Sequence, residues 1–280
     1  MAQLWASGTA DIPASVDGVL CDAREATIPV YDDGLLRGDG AFEFVHCYAG
    51  RPFTLAEHLD RLAQTCATIR LPYPREQIEA EIVALLAWAG PVFAGLRIVL
   101  TRGGRRIVFL EPSPDLDSPP AHLAFVTDSP RLVLAGAKSL SYAGNMLAKR
   151  KAQERGLGEA LLTTPDGHVM EAQQAAFFWV TAQGDLCTPP LSEGILDSIT
   201  RRVVMKHLAV AEHVCRTQDA LAAQEAFLAG TAREIQAVGV IEGRVFDDPP
   251  GPVTRQAIAA YRREVEQQMG MSAAELWGGR

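Results

Sequence analysis

Lys138 stands among small and apolar neighbours in Gly136-Ala-Lys-Ser-Leu-Ser-Tyr142, and Glu171 follows 33 residues later, closing the strand-turn-strand signal that opens at Glu159. A lysine amine in apolar surroundings loses its proton readily and can then attack an aldehyde. A carboxylate aimed at a pyridine nitrogen keeps that ring protonated, which makes the ring an electron sink. Together the two residues read as the reactive pair of a pyridoxal-phosphate site. Singly, each has a plainer reading: a lysine at a loop end is usually a solvated surface charge, and Glu171 could simply belong to a strand.

Other residues have the types that such a site needs. Leu196-Asp-Ser-Ile-Thr-Arg201 leaves a proline-bounded loop and starts a helix. Unpaired N–H groups and a favourable dipole make a helix N-terminus a place for a phosphate dianion, so the amides of Ile199 and Thr200 and the Thr200 hydroxyl are candidate ligands. An ordinary N-cap by Asp197 or Ser198 explains the same residues. Gly230-Thr231, just beyond the apolar run Ala226–Ala229, offers a close backbone approach and a second hydroxyl. Arg61 lies at the edge of the helical stripe Leu55, Leu59, Leu62, where a surface arginine is the alternative. Tyr142 is either a hydrogen-bond donor to the cofactor's phenolic oxygen or a core tyrosine. Arg97 sits inside the apolar strand Leu96–Thr101 and requires an anion: Glu43, Asp39 or a substrate carboxylate. Arg37 precedes the turn Gly38-Asp-Gly40, and Phe42 and Phe44 share one face by the two-residue strand period.

In this order the segments Arg37–Glu43, His58-Leu-Asp-Arg61-Leu62, Leu100-Thr-Arg-Gly103, Lys138–Tyr142, Asp166–Glu171, Ile195–Arg201 and Ala229–Ile235 resemble the class IV, fold-type IV aminotransferases. That family holds D-amino-acid, (R)-amine and branched-chain transaminases and aminodeoxychorismate lyase. The resemblance runs from about Val30 to Thr254. It implies a small α/β domain, a larger pseudo-barrel domain and pyridoxal 5′-phosphate between them. It also implies that Lys138 carries the cofactor and moves the substrate proton and that Glu171 meets the pyridine nitrogen. Arg61, Ile199, Thr200, Gly230 and Thr231 would hold the phosphate, with Tyr142 and Leu196 against the ring. Arg37, Phe42, Phe44 and Arg97 are the candidate substrate residues. A homodimer is implied as well, with the short hairpin and the Phe42–Phe44 face as its contact.

Departures from the family pattern bear on the substrate. The loop after Gly103 is short, leaving Arg105 or Arg106 to replace the basic residues it usually carries, and Ala176 and Ser198 stand where asparagine and glycine are usual. Glu43 stands where the lyase resemblance favours threonine. Branched-chain enzymes show Tyr-Leu-Arg-Pro where this chain has Gly95-Leu-Arg-Ile98. The expected activity is therefore ping-pong transamination between a D-amino acid or (R)-amine and a keto acid. Release of pyruvate from aminodeoxychorismate and branched-chain transamination are the alternatives.

The elements that must position these residues form a mixed α/β chain of 280 residues, enough for two modest cores. Four prolines within 111–120 mark a link, which places a small α/β domain at 1–111 and a pseudo-barrel domain at 121–280. Apolar spacing predicts helices around 55–69, 78–86, 143–155, 198–210 and 252–268, and strands at 18–21, 41–48, 96–101, 106–111, 122–127, 159–163, 176–181 and 225–229. A net charge of −8 disfavours nucleic acid as a partner. Five scattered cysteines without ligand spacing point to reduced core thiols and to no metal site. With no leader-like start and no long apolar run, the expected location is the cytoplasm, away from membranes.

Overall fold

The protein's structure, a computed structural model, is described over residues 12–112, 116, 118–127 and 134–278. The chain divides into two compact units. One takes residues up to Pro114 together with Ala137–Ser141 and the stretch from Val265 onward; the other takes Asp115–Gly136 and Tyr142–Glu264. The sequence reading places a single cut in the proline-rich link, of which residues 113–115 and 117 lie outside the described residues. Two sets of contacts draw later segments back to the first unit. Residues 138–140 pair with an N-terminal strand, and beyond residue 265 Arg51 Nη1 donates to the Met269 carbonyl while Trp277 meets the Tyr48 ring edge-on.

The first unit runs β1 (Pro13–Val16), β2 (Val19–Asp22), α1 (Asp33–Arg37), β3 (Gly40–Tyr48), β4 (Arg51–Pro52), α2 (Leu55–Thr68), α3 (Arg75–Ala89), β5 (Ala94–Thr101) and β6 (Arg106–Pro112). Its sheet has the order β2-β1-β6-β5-β3-β4, with every pairing antiparallel. Alternation decides its two faces. Ala41, Val45 and Cys47, with Leu96, Ile98, Leu100, Val108 and Leu110, form a core with Leu59, Leu62 and Cys66 of α2 and Ile78, Ile82 and Leu85 of α3. Phe42, Phe44, Arg97, Phe109 and Glu111 fall on the opposite face by the same parity.

The turn into β3 has its glycines for two different reasons. Gly38 ends α1 in the left-handed region at φ 67°, where its N–H meets the Asp33 and Gly34 carbonyls. Gly40 faces a crowded edge: a Cβ there would lie 2.3 Å from the Leu100 carbonyl oxygen and 2.6 Å from Leu140.

The second unit holds β7 (Ala121–Thr127), α4 (Ala143–Glu154), β8 (Glu159–Thr163), β9 (His168–Ala172), β10 (Ala176–Val180), β11 (Leu186–Thr188), α5 (Ile199–His207), β12 (Ala211–Glu212), β13 (Cys215–Arg216), α6 (Thr217–Ala222), β14 (Glu225–Gly230), β15 (Glu234–Ile241), β16 (Arg244–Val245) and most of α7 (Pro252–Met269). The short α8 (Ala273–Trp277) belongs to the first unit. The strands follow the path β12-β11-β10-β14-β15-β7-β8-β9-β13, with β16 on β15. Among the described residues, only β7 with β8, β15 with β7, and β11 with β12 pair in parallel. This is the mixed architecture expected from short strands and tight turns, not a doubly wound parallel sheet.

Several short elements, among them β1, α1, β11 and α6, are absent from the sequence expectation, and two differences bear on the large sheet. Helix α5 stops at His207 and does not reach Val210, because Leu208 turns extended (φ −123°, ψ 149°) and feeds Ala211–Glu212 into pairing beside β11. Strand β15, which the sequence reading did not place, fills the middle of the sheet. Among the described residues no helix is long and apolar enough to cross a membrane.

Candidate active site

The first unit places Lys138 by backbone pairing. The Phe42 N–H donates to the Lys138 carbonyl at 3.0 Å, the Leu140 N–H donates to the Gly40 carbonyl at 2.9 Å, and Ser139 bridges Ala41. The Lys138 N–H itself donates to Oγ1 of the buried Thr65, on α2, at 3.1 Å. The segment thereby lies along the edge of β3 that β5 leaves open. The half-buried side chain puts Nζ 4.3 Å from the centroid of the Phe42 ring.

Arg61 is no surface arginine. It is 7% exposed, and its Nε and Nη2 donate in parallel to Glu43 Oε1 and Oε2, each at 2.7 Å. His58, one turn earlier on α2, shares Glu43 Oε2 through Nδ1 at 2.8 Å. Burial alone would raise the Glu43 carboxyl, yet the Arg61 charge and hydrogen bonds, with His58, outweigh it and hold Glu43 well below the usual carboxylate range. Burial lowers His58 against the pull of Glu43. These shifts favour the carboxylate form of Glu43 and the neutral form of His58, and the guanidinium is fixed in orientation by a bidentate partner.

The opposite face of the sheet carries a second pair. Arg97 donates from Nε to Glu111 Oε1 at 2.5 Å and from Nη2 to Oε2 at 2.9 Å. Its Cζ lies 5.5 Å from the Phe42 ring centroid and 5.1 Å from that of Phe44. The protein anion that Arg97 requires is thus Glu111, not Glu43 or Asp39. Strand parity separates Glu43 from it, since Glu43 faces the helices, and Asp39 is held by Arg102, which also donates to the Ile69 and Arg70 carbonyls at the end of α2. The remaining arginines considered for the substrate also have acidic partners: Arg37, which is exposed, pairs with Asp33, Arg105 with Asp17 and Arg106 with Glu81.

Within the second unit, the half-buried Glu171 on β9 accepts the Leu196 N–H through Oε1 at 3.3 Å. Two residues further, Ser198 caps α5, its hydroxyl accepting from the Arg201 N–H at 3.3 Å, while Asp197 pairs with Arg202. Thr200 in the first turn is 2% exposed, and Ile199 is buried beside it. Helix α5 packs on β14, whose last residue is the buried Gly230, followed by the half-buried Thr231. The Tyr142 hydroxyl donates to the Gln173 carbonyl at 2.8 Å, sharing that oxygen with Asn145.

Residues 40–241 match the amino-transferase class IV family. The chain belongs to the class IV aminotransferases. It is 33% identical over 266 residues to a Methanocaldococcus jannaschii protein provisionally named branched-chain-amino-acid aminotransferase, covering 86% of this chain and 92% of that one. It is 30% identical over 281 residues to the D-alanine aminotransferase of Listeria monocytogenes, covering 91% and 96%. Among solved structures, the branched-chain aminotransferase of Thermoproteus uzoniensis, crystallised with norvaline, superposes with a TM-score of 0.82 at 28% identity, covering 91% and 94%.

Class IV aminotransferases are pyridoxal-phosphate enzymes, and the donor groups of this one fit that cofactor. An amine beside an aromatic face, a carboxylate in strand β9, a capped helix N-terminus with a buried hydroxyl and a buried, rigidly held arginine are all present. Sequence reasoning missed three partnerships in this aminotransferase: Glu43, offered there to Arg97, with Arg61, Glu111 with Arg97, and Thr65 with the Lys138 backbone. A signal existed for Glu43, whose parity with Ala41 and Val45 places a charge on a buried face.

Proposed function

We propose that this aminotransferase moves an amino group between a D-amino acid or (R)-amine and a keto acid in two half-reactions. When bound, pyridoxal phosphate supplies the electron sink. Lys138 would hold the cofactor and, as a free amine, would move the proton at the substrate Cα. Glu171 holds the proton on the ring nitrogen. The Ile199 and Thr200 amides, the Thr200 hydroxyl, Gly230, Thr231 and Arg61 bind the phosphate, with Leu196 and Tyr142 against the ring. Phe42 and Phe44 wall the substrate, and Arg97 and Arg37 attract its carboxylate.

One observation favours the D-amino-acid or (R)-amine reading over the branched-chain one. The Phe44 ring occupies the space above Gly95, so that a Cβ at position 95 would lie 2.3 Å from it. Branched-chain enzymes resemble this stretch but have tyrosine there. In this chain the Phe44 ring takes that space and sets an aromatic wall beside Arg97. Initial rates with D-alanine and 2-oxoglutarate are expected to give parallel double-reciprocal lines; pyruvate released from aminodeoxychorismate without amino transfer would select the lyase instead.

A homodimer in the cytoplasm completes the reading. Phe42 is buried, so the contact face is sought where apolar side chains are open, at Val30, Tyr31, Leu35 and Leu36 around α1, with Tyr31 88% exposed. Sedimentation of a fully active monomer would refute it.

A further inference from the structure

The proposed reaction gives Arg97 a task but leaves Glu111 with none. Phe42 connects the pair to the chemistry: Lys138 Nζ lies 4.3 Å from its ring centroid and Arg97 Cζ 5.5 Å, so the reactive amine and the guanidinium share one aromatic ring as a neighbour. The two parallel hydrogen bonds from Arg97 to Glu111 have the geometry a guanidinium adopts toward any carboxylate, a substrate's included. Register explains how the pair forms. Glu111 lies opposite Gly95, two residues from the Arg97–Phe109 pairing, so the carboxylate reaches the guanidinium diagonally on one face. The side chains stay 28% and 31% exposed, which leaves both open to water and to a solute.

We propose that Glu111 is a specificity-determining residue: an internal carboxylate that occupies Arg97 until a substrate carboxylate displaces it. The inference rests on reading Arg97 as a cation that faces the substrate. A plain amine meets a satisfied ion pair and leaves no charge unpartnered. A carboxylated substrate exchanges one ion pair for another, and Glu111, being partly exposed, turns back to water. Glu111 therefore lets one site accept substrates with and without a carboxylate and sets the balance between them.

Glu111→Gln keeps the hydrogen-bond acceptor and removes the charge. Single-turnover conversion of the pyridoxal-phosphate form by D-alanine and by (R)-1-phenylethylamine, in wild type, Glu111→Gln and Arg97→Ala, tests the proposal. Glu111→Gln is expected to tighten the apparent Kd for D-alanine by about fivefold, leave its limiting rate unchanged and shift the amine by less than about twofold, because only the carboxylate gains an uncontested charge partner. Arg97→Ala is expected to weaken D-alanine by roughly tenfold and spare the amine. Activity on the amine reports that each variant is folded and loaded. If Arg97→Ala is selective but Glu111→Gln moves both substrates alike or weakens D-alanine, the Glu111 proposal fails and the Arg97 reading survives. If Arg97→Ala affects both equally, the two fall together; a wild type inert to both substrates ends the functional reading and the inference with it.

Discussion

The first unit's sheet carries an arginine–glutamate pair on each of its faces, and the two are built for opposite purposes. Glu43 and Arg61 lie on the helix-covered face, both buried, with His58 as a further partner of the same carboxylate. Glu111 and Arg97 lie on the other face, about a third exposed and edged by the Phe42 and Phe44 rings. Breaking a buried pair strands a charge where no water can replace the partner, whereas an exposed pair exchanges with solvent at little cost. The inner pair thus holds its guanidinium away from water, while the outer pair stays open to solvent, as the proposed exchange with a substrate carboxylate requires. Three consecutive residues, Phe42-Glu43-Phe44, serve both faces through strand alternation alone.

Lys138, the proposed reactive lysine, has contacts on both faces, and its loss has the largest expected effect. Lys138 takes its backbone anchor from Thr65 on the helix side and lays its amine on Phe42. Lys138→Ala is expected to abolish turnover while leaving the thermal transition within a few degrees of wild type; steady-state assay and calorimetry check both halves, and more than trace activity would remove Lys138 from its role. Glu171→Gln is expected to slow single-turnover conversion by orders of magnitude with the cofactor still bound, since a neutral amide does not hold the ring proton. A rate equal to wild type would return Glu171 to a structural part.

Substituting the two carboxylates alike sharpens the contrast. Glu43→Gln is expected to cost about 3–5 kcal/mol of unfolding free energy, because Arg61 remains buried and charged. Glu111→Gln is expected to stay within about 1 kcal/mol of wild type. Urea unfolding of both variants decides it, and equal losses would erase the distinction between the faces.

A smaller effect follows from His58. Burial lowers its folded-state affinity for a proton, so between the ordinary histidine value and the lowered one the unfolded chain binds more protons than the folded one. Stability then falls as pH drops below about 6.5, by at most about 1.4 kcal/mol per pH unit from this group. His58→Gln removes that slope, and the gap between wild type and variant should narrow from pH 7 to pH 5. A constant gap would mean that His58 is charged in the folded protein.

Much of this organisation is legible in the sequence because it is local. The stripe Leu55, Leu59, Leu62, Cys66 specifies α2, the parity of Ala41–Tyr48 specifies β3, and the order of the segments around Lys138, Glu171 and Ser198 carries the family resemblance. What could not be read depends on contacts distant in sequence. The partnership of Arg97 with Glu111 needs the β5–β6 register, and that of Arg61 with Glu43 needs the packing of α2 on β3. The attachment of residues 137–141 to the first unit follows from edge pairing with β3, which no linear pattern announces. Strand β15 carries its own apolar signal in Ile235, Ala237 and Val238, but it follows directly on the turn at Thr231–Arg233, without a loop that would mark its start.

One measurement bears most directly on the reaction. The purified enzyme, saturated with pyridoxal phosphate, is mixed with a stoichiometric excess of D-alanine or, separately, of L-leucine, without a keto acid, and its absorbance is followed to completion. D-Alanine is expected to remove the visible band of the aldehyde form and raise the near-ultraviolet band of the aminated form, with one pyruvate per site, while L-leucine leaves the spectrum unchanged. Conversion by L-leucine with none by D-alanine would contradict the assignment and place the enzyme among the branched-chain transaminases.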